Sequence, residues 1–372
     1  MSRKRLQDVH GFVLAAGLGT RLKPFTDHTP KPLLPFFDVP LVEHTIRRLL
    51  DAGVTRLTVN LFHLGDVLRQ FLEKLSQRLP KGVRIDFSPE TVLMGTGGGL
   101  AKAACGFDGA TTLVVNGDVW CNPDLDELLD VHVGTGAEAT ALLHSGVGRD
   151  ELLTTSVDRE GRIVSIVPGG DGGRGPGRSP PAVFSGVYLV EPQFYARLPL
   201  RPCSVISEGF LPAIARGARV HGLIRTFAWH DLGTWGDVLA AHMAVLGSGD
   251  GGPYEPARRL APGEFRAAGT GTVCVLESGD GGPYEPARRL APGEFRAAGT
   301  EAVYVGPGAL VEAGAEVGPG VVLGAGSVVG AGTRVRRSVV LPGCTATGTV
   351  VGTVVFAETA WPDRTKGVGN RS

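Results

Sequence analysis

Up to residue 246 the chain alternates two hydrophobic periods. Short apolar runs at 12–16, 57–60, 83–87 and 112–116 have the length of buried strands. Between them, apolar residues recur at helical spacing: Leu64, Val67, Leu68, Phe71, Leu72 and Leu75 share one face of a helix over 64–75. A second helix is expected over 41–52, with Pro40 suited to its first turn and Gly53 to its end. This βαβ rhythm predicts a largely parallel sheet covered by helices on both faces, whose ligands bind beyond the carboxyl ends of the strands. From Ser156 the pattern changes to a hairpin over 156–167 that turns at 158–161. A Gly/Pro/Arg-rich loop over 169–181 follows, then a strand at 183–190 and helices over 207–215 and 234–246. This first domain is expected to span 1–246.

The remainder obeys a different rule. Residues 248–270 and 278–300 are identical at a spacing of thirty, so 247–300 reads as a linker that contains a tandem duplication. Beyond it the period is six: Val305, Val311, Val317, Leu323, Val329, Val335 and Leu341. Each is followed by Gly306, Glu312, Gly318, Gly324, Gly330, Arg336 or Pro342. Six fits neither helix nor hairpin but suits a solenoid in which each hexad makes one face of a triangular coil, the apolar residue pointing inward. The pattern resembles the left-handed β-helix of hexapeptide-repeat proteins and is expected over 301–356, with a polar tail at 357–372.

Composition narrows the function. Lys+Arg and Asp+Glu both number 37 in 372 residues, which argues against a nucleic-acid partner while allowing a local basic pocket. The five cysteines are scattered without a CxxC, as free thiols in a reducing compartment would be. No segment resembles a signal peptide or a membrane span. The expectation is a cytoplasmic protein with no membrane partner.

The candidate chemistry begins at 14–32. A buried strand delivers the chain into a glycine-rich turn containing Leu14, Ala15, Gly17, Gly19 and Thr20. There Gly17 and Gly19 allow backbone N–H groups close to a phosphate. Arg21 adds a forked donor, and Lys31, between Pro30 and Pro32, adds a cation on a stiff backbone. Together they suit a triphosphate whose charge must be neutralised before an anion attacks it. No GK[ST] follows the glycines, which excludes a Walker A loop, and Leu22 stands where a dinucleotide fingerprint needs glycine. Glu90 and the run Gly95-Thr-Gly-Gly-Gly99 form a second glycine cluster that could lie against a flat base. Asn116-Gly-Asp118 closes a buried strand, where a carboxylate is well placed to hold Mg²⁺.

The pattern GxGTRxxPxTxxxPKP at 17–32 resembles the signature of the sugar-1-phosphate nucleotidyltransferases, and the resemblance covers about 10–245. It implies a Rossmann-like nucleotidyltransferase fold and transfer of a nucleoside monophosphate from an NTP to a sugar 1-phosphate. Arg21 and Lys31 would contact the phosphates, and Gly95 and Gly97 would recognise the base. His230-Asp231-Leu-Gly-Thr234 is similar to the family's second metal segment, so Asp118 and Asp231 are the implied Mg²⁺ ligands. Gly186 stands where the family usually has a sugar-contacting backbone. The Glu-Lys-Pro segment that many members use for the sugar phosphate is missing. In its place are Val167-Pro-Gly-Gly-Asp171 and a loop with Arg174 and Arg178. Some details resemble N-acetylmuramate 1-phosphate uridylyltransferases, whereas the appended repeats look more like mannose-1-phosphate guanylyltransferases. A non-catalytic nucleotide-sugar-binding subunit would be expected to lack one of the four charged residues, and all are present. Acyl transfer needs a histidine in the repeats, yet all nine histidines precede them. The repeats are instead expected to pack on their own catalytic domain or to join copies of the chain as a homo-oligomer.

Overall fold

The computed structural model describes residues 5–145, 152–168, 179–247, 274–275 and 303–357. The duplicated segments, the arginines at 174 and 178, and the tail beyond 357 lie outside the described residues. Two compact units emerge. One contains Met1–Leu18, Pro30–Pro32 and Val42–Trp229; the other contains Gly19–Thr29, Leu33–Leu41 and everything from His230 onward.

The first unit is built on a nine-stranded mixed sheet. Its elements are β1 (His10–Leu14), α1 (Leu41–Asp51), β2 (Arg56–Leu61), α2 (Gly65–Ser76), β3 (Arg84–Pro89), α3 (Gly95–Ala103), β4 (Thr112–Asn116), α4 (Leu125–Thr135), β5 (Ala139–His144), β6 (Leu153–Val157), β7 (Ile163–Pro168), β8 (Ala182–Val190) and β9 (Val220–Arg225). The order β3-β2-β1-β4 is parallel throughout, because each crossover carries a helix back over the sheet. β8 then runs antiparallel to both β4 and β5, and β6 and β7 form the expected hairpin. Its core packs Phe12, Leu100, Phe107, Val114, Tyr188 and Phe210 with their neighbours.

Two local outcomes differ from the sequence pattern. β1 ends at Leu14 rather than Ala16, because the amide of Ala15 donates to the side-chain Oδ1 of Asn60 (2.6 Å) instead of continuing the ladder. The helix expected over 207–215 begins as a π-helical turn, Ile206–Phe210, before Leu211–Ala215.

In the second unit the six-residue period becomes a parallel β-coil. Val303 pairs with Val321 and Glu316 with Arg334, each eighteen residues on, so one circuit takes three hexads. The strands accordingly stack into three sheets. All seven period-six residues are buried, at most 6% exposed. Gly308, Gly314, Gly320, Gly326 and Gly332 have φ between 62° and 74°, the left-handed conformation that turns a corner without a Cβ clash. Helix α5 (Trp235–Gly247) packs against the coil strands Ser338–Val340 and Val354–Val355. A hairpin, Pro35–Phe36 with Val39–Pro40, belongs to the same unit. At its tip the half-buried carboxylate of Asp38 accepts hydrogen bonds from the Tyr304 hydroxyl (2.6 Å) and the Ala325 amide (2.5 Å). A Cβ at Gly306 would sit 2.5 Å from Asp38 Oδ2, so this coil position needs glycine.

Candidate active site

Strand order locates the site. Going outward from β1, the chain runs through β2 and β3 on one side and returns to β4 on the other, so the topology reverses between β1 and β4. Crevices open beyond the carboxyl ends of strands at such a reversal. A cavity of about 250 Å³ lies there, lined among others by Leu14, Ala15, Gly17, Lys31, Asn60, Gly95, Thr96, Asn116 and Asp118.

Lys31 and Asp118 make the charged wall. Lys31 follows Pro30 in a short 3₁₀ turn, Lys31–Leu33, and its side chain is only 7% exposed. Its Nζ donates to Asp118 Oδ2 at 2.8 Å, while the Asp118 side chain remains 40% exposed. The turn that carries Asp118 is anchored to the strand before the glycine loop: Gly117 N donates to the Leu14 carbonyl at 2.8 Å. A cation buried against a half-open carboxylate is a natural place for a phosphate, which can take Lys31's proton donors while the carboxylate keeps its hard oxygens for a cation. Among the described residues no group of three or more His, Cys, Asp or Glu could hold a metal alone. That donor set suits Mg²⁺, which takes one or two carboxylates and fills its shell with water and substrate phosphates.

The opposite wall is held by a buried polar bridge. Asn60 Oδ1 accepts from Ala15 N (2.6 Å), and its Nδ2 donates to Glu90 Oε1 (2.8 Å). Glu90 Oε2 in turn accepts from Met94 N (2.9 Å). The bridge therefore ties the start of the phosphate loop to the residue before Gly95. Asn60 is 1% exposed and Glu90 8%, so every link is made away from water, where breaking it is costly.

The glycine run 95–99 divides its tasks. Gly95, at φ +69, and Thr96 face the cavity. Gly97 instead packs against a neighbouring segment: its amide donates to the Cys203 carbonyl (2.9 Å), and a Cβ there would lie 2.8 Å from Cys203 Sγ. Gly97 is thus a close-packing residue that lets α3 approach the segment after Pro202. Thr96 Oγ1 accepts from Val205 N at 2.9 Å, which pins the same contact. Gly186 has φ +82 in the middle of β8, where the pairing with β5 shifts register, and its missing Cβ would fall 2.5 Å from Asn116 Nδ2.

Arg21, Gly19, Thr20 and Asp231 belong to the second unit. Gly19, at φ +61, starts the 3₁₀ turn Thr20–Leu22 that presents Arg21, and Thr26 Oγ1 donates back to the Gly19 carbonyl (2.9 Å). Arg21 lies over the backbone of Gly233, where a Cβ would come within 2.7 Å of its Nη2. Asp231 ends the short strand Trp229–Asp231 and is half-buried. Asn60, Thr96 and Asn116 line the cavity although the sequence pattern gave them no role of their own. The available signal was a polar residue closing an otherwise apolar strand, as in Asn60 near the end of β2 and Asn116 at the end of β4.

Comparison with known proteins bears on the family and the fold. The nucleotidyl transferase family model matches residues 10–248, and the six-repeat bacterial transferase hexapeptide model matches 302–337. A mannose-1-phosphate guanyltransferase of Aspergillus oryzae is 30% identical over 249 residues, covering 63% of this chain and 64% of that protein. The mannose-1-phosphate guanylyltransferase of Mycobacterium tuberculosis is 30% identical over 230 residues, 61% of each chain. In Danio rerio the mannose-1-phosphate guanylyltransferase catalytic subunit beta is 29% identical over 264 residues, 68% of this chain and 67% of its own. The chain thus spans a little under two thirds of the first of these relatives. In fold, the crystal structure of HddC from Yersinia pseudotuberculosis complexed with GMP-PN superposes with a TM-score of 0.52 at 23% identity, covering 63% of this chain and 97% of that one. With its parallel sheet, its cavity at the strand reversal and a family model matching most of the chain, the protein belongs to the nucleotidyl transferase family.

Proposed function

We propose that the protein transfers a nucleoside monophosphate from an NTP to a sugar 1-phosphate, and that the pair it uses is GTP with mannose 1-phosphate. The observation that carries the reaction class is the Lys31–Asp118 pair at the mouth of a cavity walled by the glycine loop. The choice of guanylyl transfer is supported by relatives from fungi, an animal and a bacterium that share that name.

In the proposed reaction a phosphate oxygen of the sugar 1-phosphate forms a new bond to the α-phosphorus. The bond from that phosphorus to the α–β bridging oxygen breaks, and pyrophosphate leaves with the electron pair. No general base is needed, since the attacking monoester is already anionic at neutral pH. Lys31 binds and neutralises phosphate oxygens, holding both reactants in one geometry. Arg21 contributes its forked donors to the departing pyrophosphate. Leu14, Ala15, Gly17, Gly19 and Thr20 are read as the backbone cradle of the triphosphate, and Gly95 and Thr96 as the floor of the base site. Gly186 is assigned to the sugar. Asp118 and Asp231 would hold Mg²⁺, which when bound supplies charge neutralisation to the triphosphate.

The test is pyrophosphate release by the full chain with Mg²⁺ across four NTPs and a panel of sugar 1-phosphates. Release with GTP and mannose 1-phosphate is the expected result. Release with another pair would keep the class and overturn the substrate; silence across the grid from a folded, nucleotide-binding protein would favour a non-catalytic subunit.

A further inference from the structure

The phosphate loop Gly19–Thr29 sits in the same compact unit as the β-coil, not with the parallel sheet. Four contacts join it to the rest of that unit. Arg21 rests on the backbone of Gly233. Four residues on, the buried ring of Phe25 meets Trp235 edge-on, centroids 5.8 Å apart at 85°. Trp235 is in turn stacked on Phe356 at 4.3 Å and 8°, and Phe356 reaches the edge of Phe25 at 6.5 Å. The loop thus lies along the segment 233–235 and is backed by the last coil.

Both supports are fixed from behind. Thr234 and Asp237 form a reciprocal cap at the start of α5: Asp237 Oδ2 accepts from Thr234 N (2.9 Å) and Thr234 Oγ1 accepts from Asp237 N (3.2 Å). Phe356 follows the strand Val354–Val355, which is held to the coil above it by Leu341 N donating to the Val355 carbonyl (2.9 Å). An aromatic ring mounted on a hydrogen-bonded coil is a rigid stop, whereas a bare glycine-rich loop is not.

We propose that the last coil of the β-helix braces the phosphate loop, with Phe356 acting through Trp235 and Phe25 as the positioning residue for Arg21. The assignment of Arg21 to the triphosphate rests on the function proposed above; the brace itself does not. The repeats would then serve catalysis directly by setting the angle at which Arg21 meets the nucleotide, in addition to any role in assembly.

The test uses the full chain and the variants Phe356→Ala, Phe356→Leu and Phe356→Tyr. Amide hydrogen exchange is read over residues 19–29, with the strands β1 to β4 as an internal control of folding. The brace predicts roughly tenfold faster exchange at Leu22, Asp27 and Thr29 in Phe356→Ala, a smaller rise in Phe356→Leu, rescue in Phe356→Tyr, and unchanged strands. Unchanged exchange in the loop of a folded Phe356→Ala protein would overturn it, whether or not the protein releases pyrophosphate. With turnover measurable, Phe356→Ala should lower kcat/KM for the nucleotide about tenfold and leave KM for the sugar phosphate within twofold. In an Arg21→Ala background the same change should have no further effect on the nucleotide. Full additivity of the two substitutions would show that Phe356 does not act through Arg21.

Discussion

Gly99 tests whether the buried bridge shapes the nucleotide cavity, because two opposed effects can be weighed there. Gly99 lies inside α3, where alanine is worth about 1 kcal/mol more than glycine in helix propensity. A Cβ at this position would, however, stand 2.9 Å from Glu90 Oε1 and 3.0 Å from Asn60 Nδ2. Both are ends of side chains that can move, so steric relief is cheap, but moving them opens the Asn60–Glu90 hydrogen bond. A hydrogen bond to a charged group contributes about 1.5–3 kcal/mol. The Gly99→Ala protein should therefore be destabilised by only about 0.5–2 kcal/mol, or roughly 1–8 °C in Tm. Its nucleotide KM, by contrast, should rise about tenfold, since Ala15 and Met94 lose their common strut. Gly98→Ala offers the same propensity gain but places a Cβ 2.2 Å from the Arg201 carbonyl, a backbone atom, and should fail to fold. Calorimetry and steady-state kinetics on the two variants decide the matter. A Gly99→Ala protein that is more stable than the parent and unchanged in KM would refute the bridge as a determinant of the site.

Three further outcomes follow from the geometry. Asp118→Ala should lower kcat by at least about 10²-fold while nucleotide binding survives; turnover within threefold of the parent would remove Asp118 from the proposed metal site. Gly186→Ala combines a left-handed φ of +82 with a Cβ 2.5 Å from Asn116, so denaturant unfolding should report a loss of about 2–4 kcal/mol. His10 is 2% exposed, and burial, with help from Arg56, lowers its pKa to about 4. The unfolded chain then binds a proton that the folded one refuses, so stability should fall by about 3 kcal/mol as pH drops from 6.5 to 4. His10→Val should flatten that part of the pH profile, and an equally steep decline in the variant would assign it to other groups.

Much of this was legible in the linear pattern wherever structure is local. The hexad period placed all seven inward residues of the coil, because a repeat of six leaves one backbone path that buries every sixth side chain. Helix α2 followed from its apolar face, and the hairpin of β6 and β7 from its turn residues. Helix α4 was missed although it carries plain signals, Asp124 capping Glu127 N and Gly136 closing the end at φ 56. Its neighbours β5 and β9 were missed as well, since brief apolar strands carry little period of their own.

What the sequence by itself determined was the chemistry on offer: a glycine loop with Arg21 and Lys31, an aspartate closing a buried strand, and a coil of hexads. Only the tertiary structure decided which of these groups share a wall. Lys31 meets Asp118 because β1 and β4 are neighbours at the strand reversal, a pairing 87 residues apart that no local pattern encodes. Gly97 was drawn into packing against Cys203, and Asn60 into the bridge, by chain segments remote in sequence. The phosphate loop joined the coil through Phe25, Trp235 and Phe356, three rings separated by more than three hundred residues from first to last. Local order follows from periodicity and caps, which act over a few residues, whereas a site forms where long-range burial brings distant polar groups to one place.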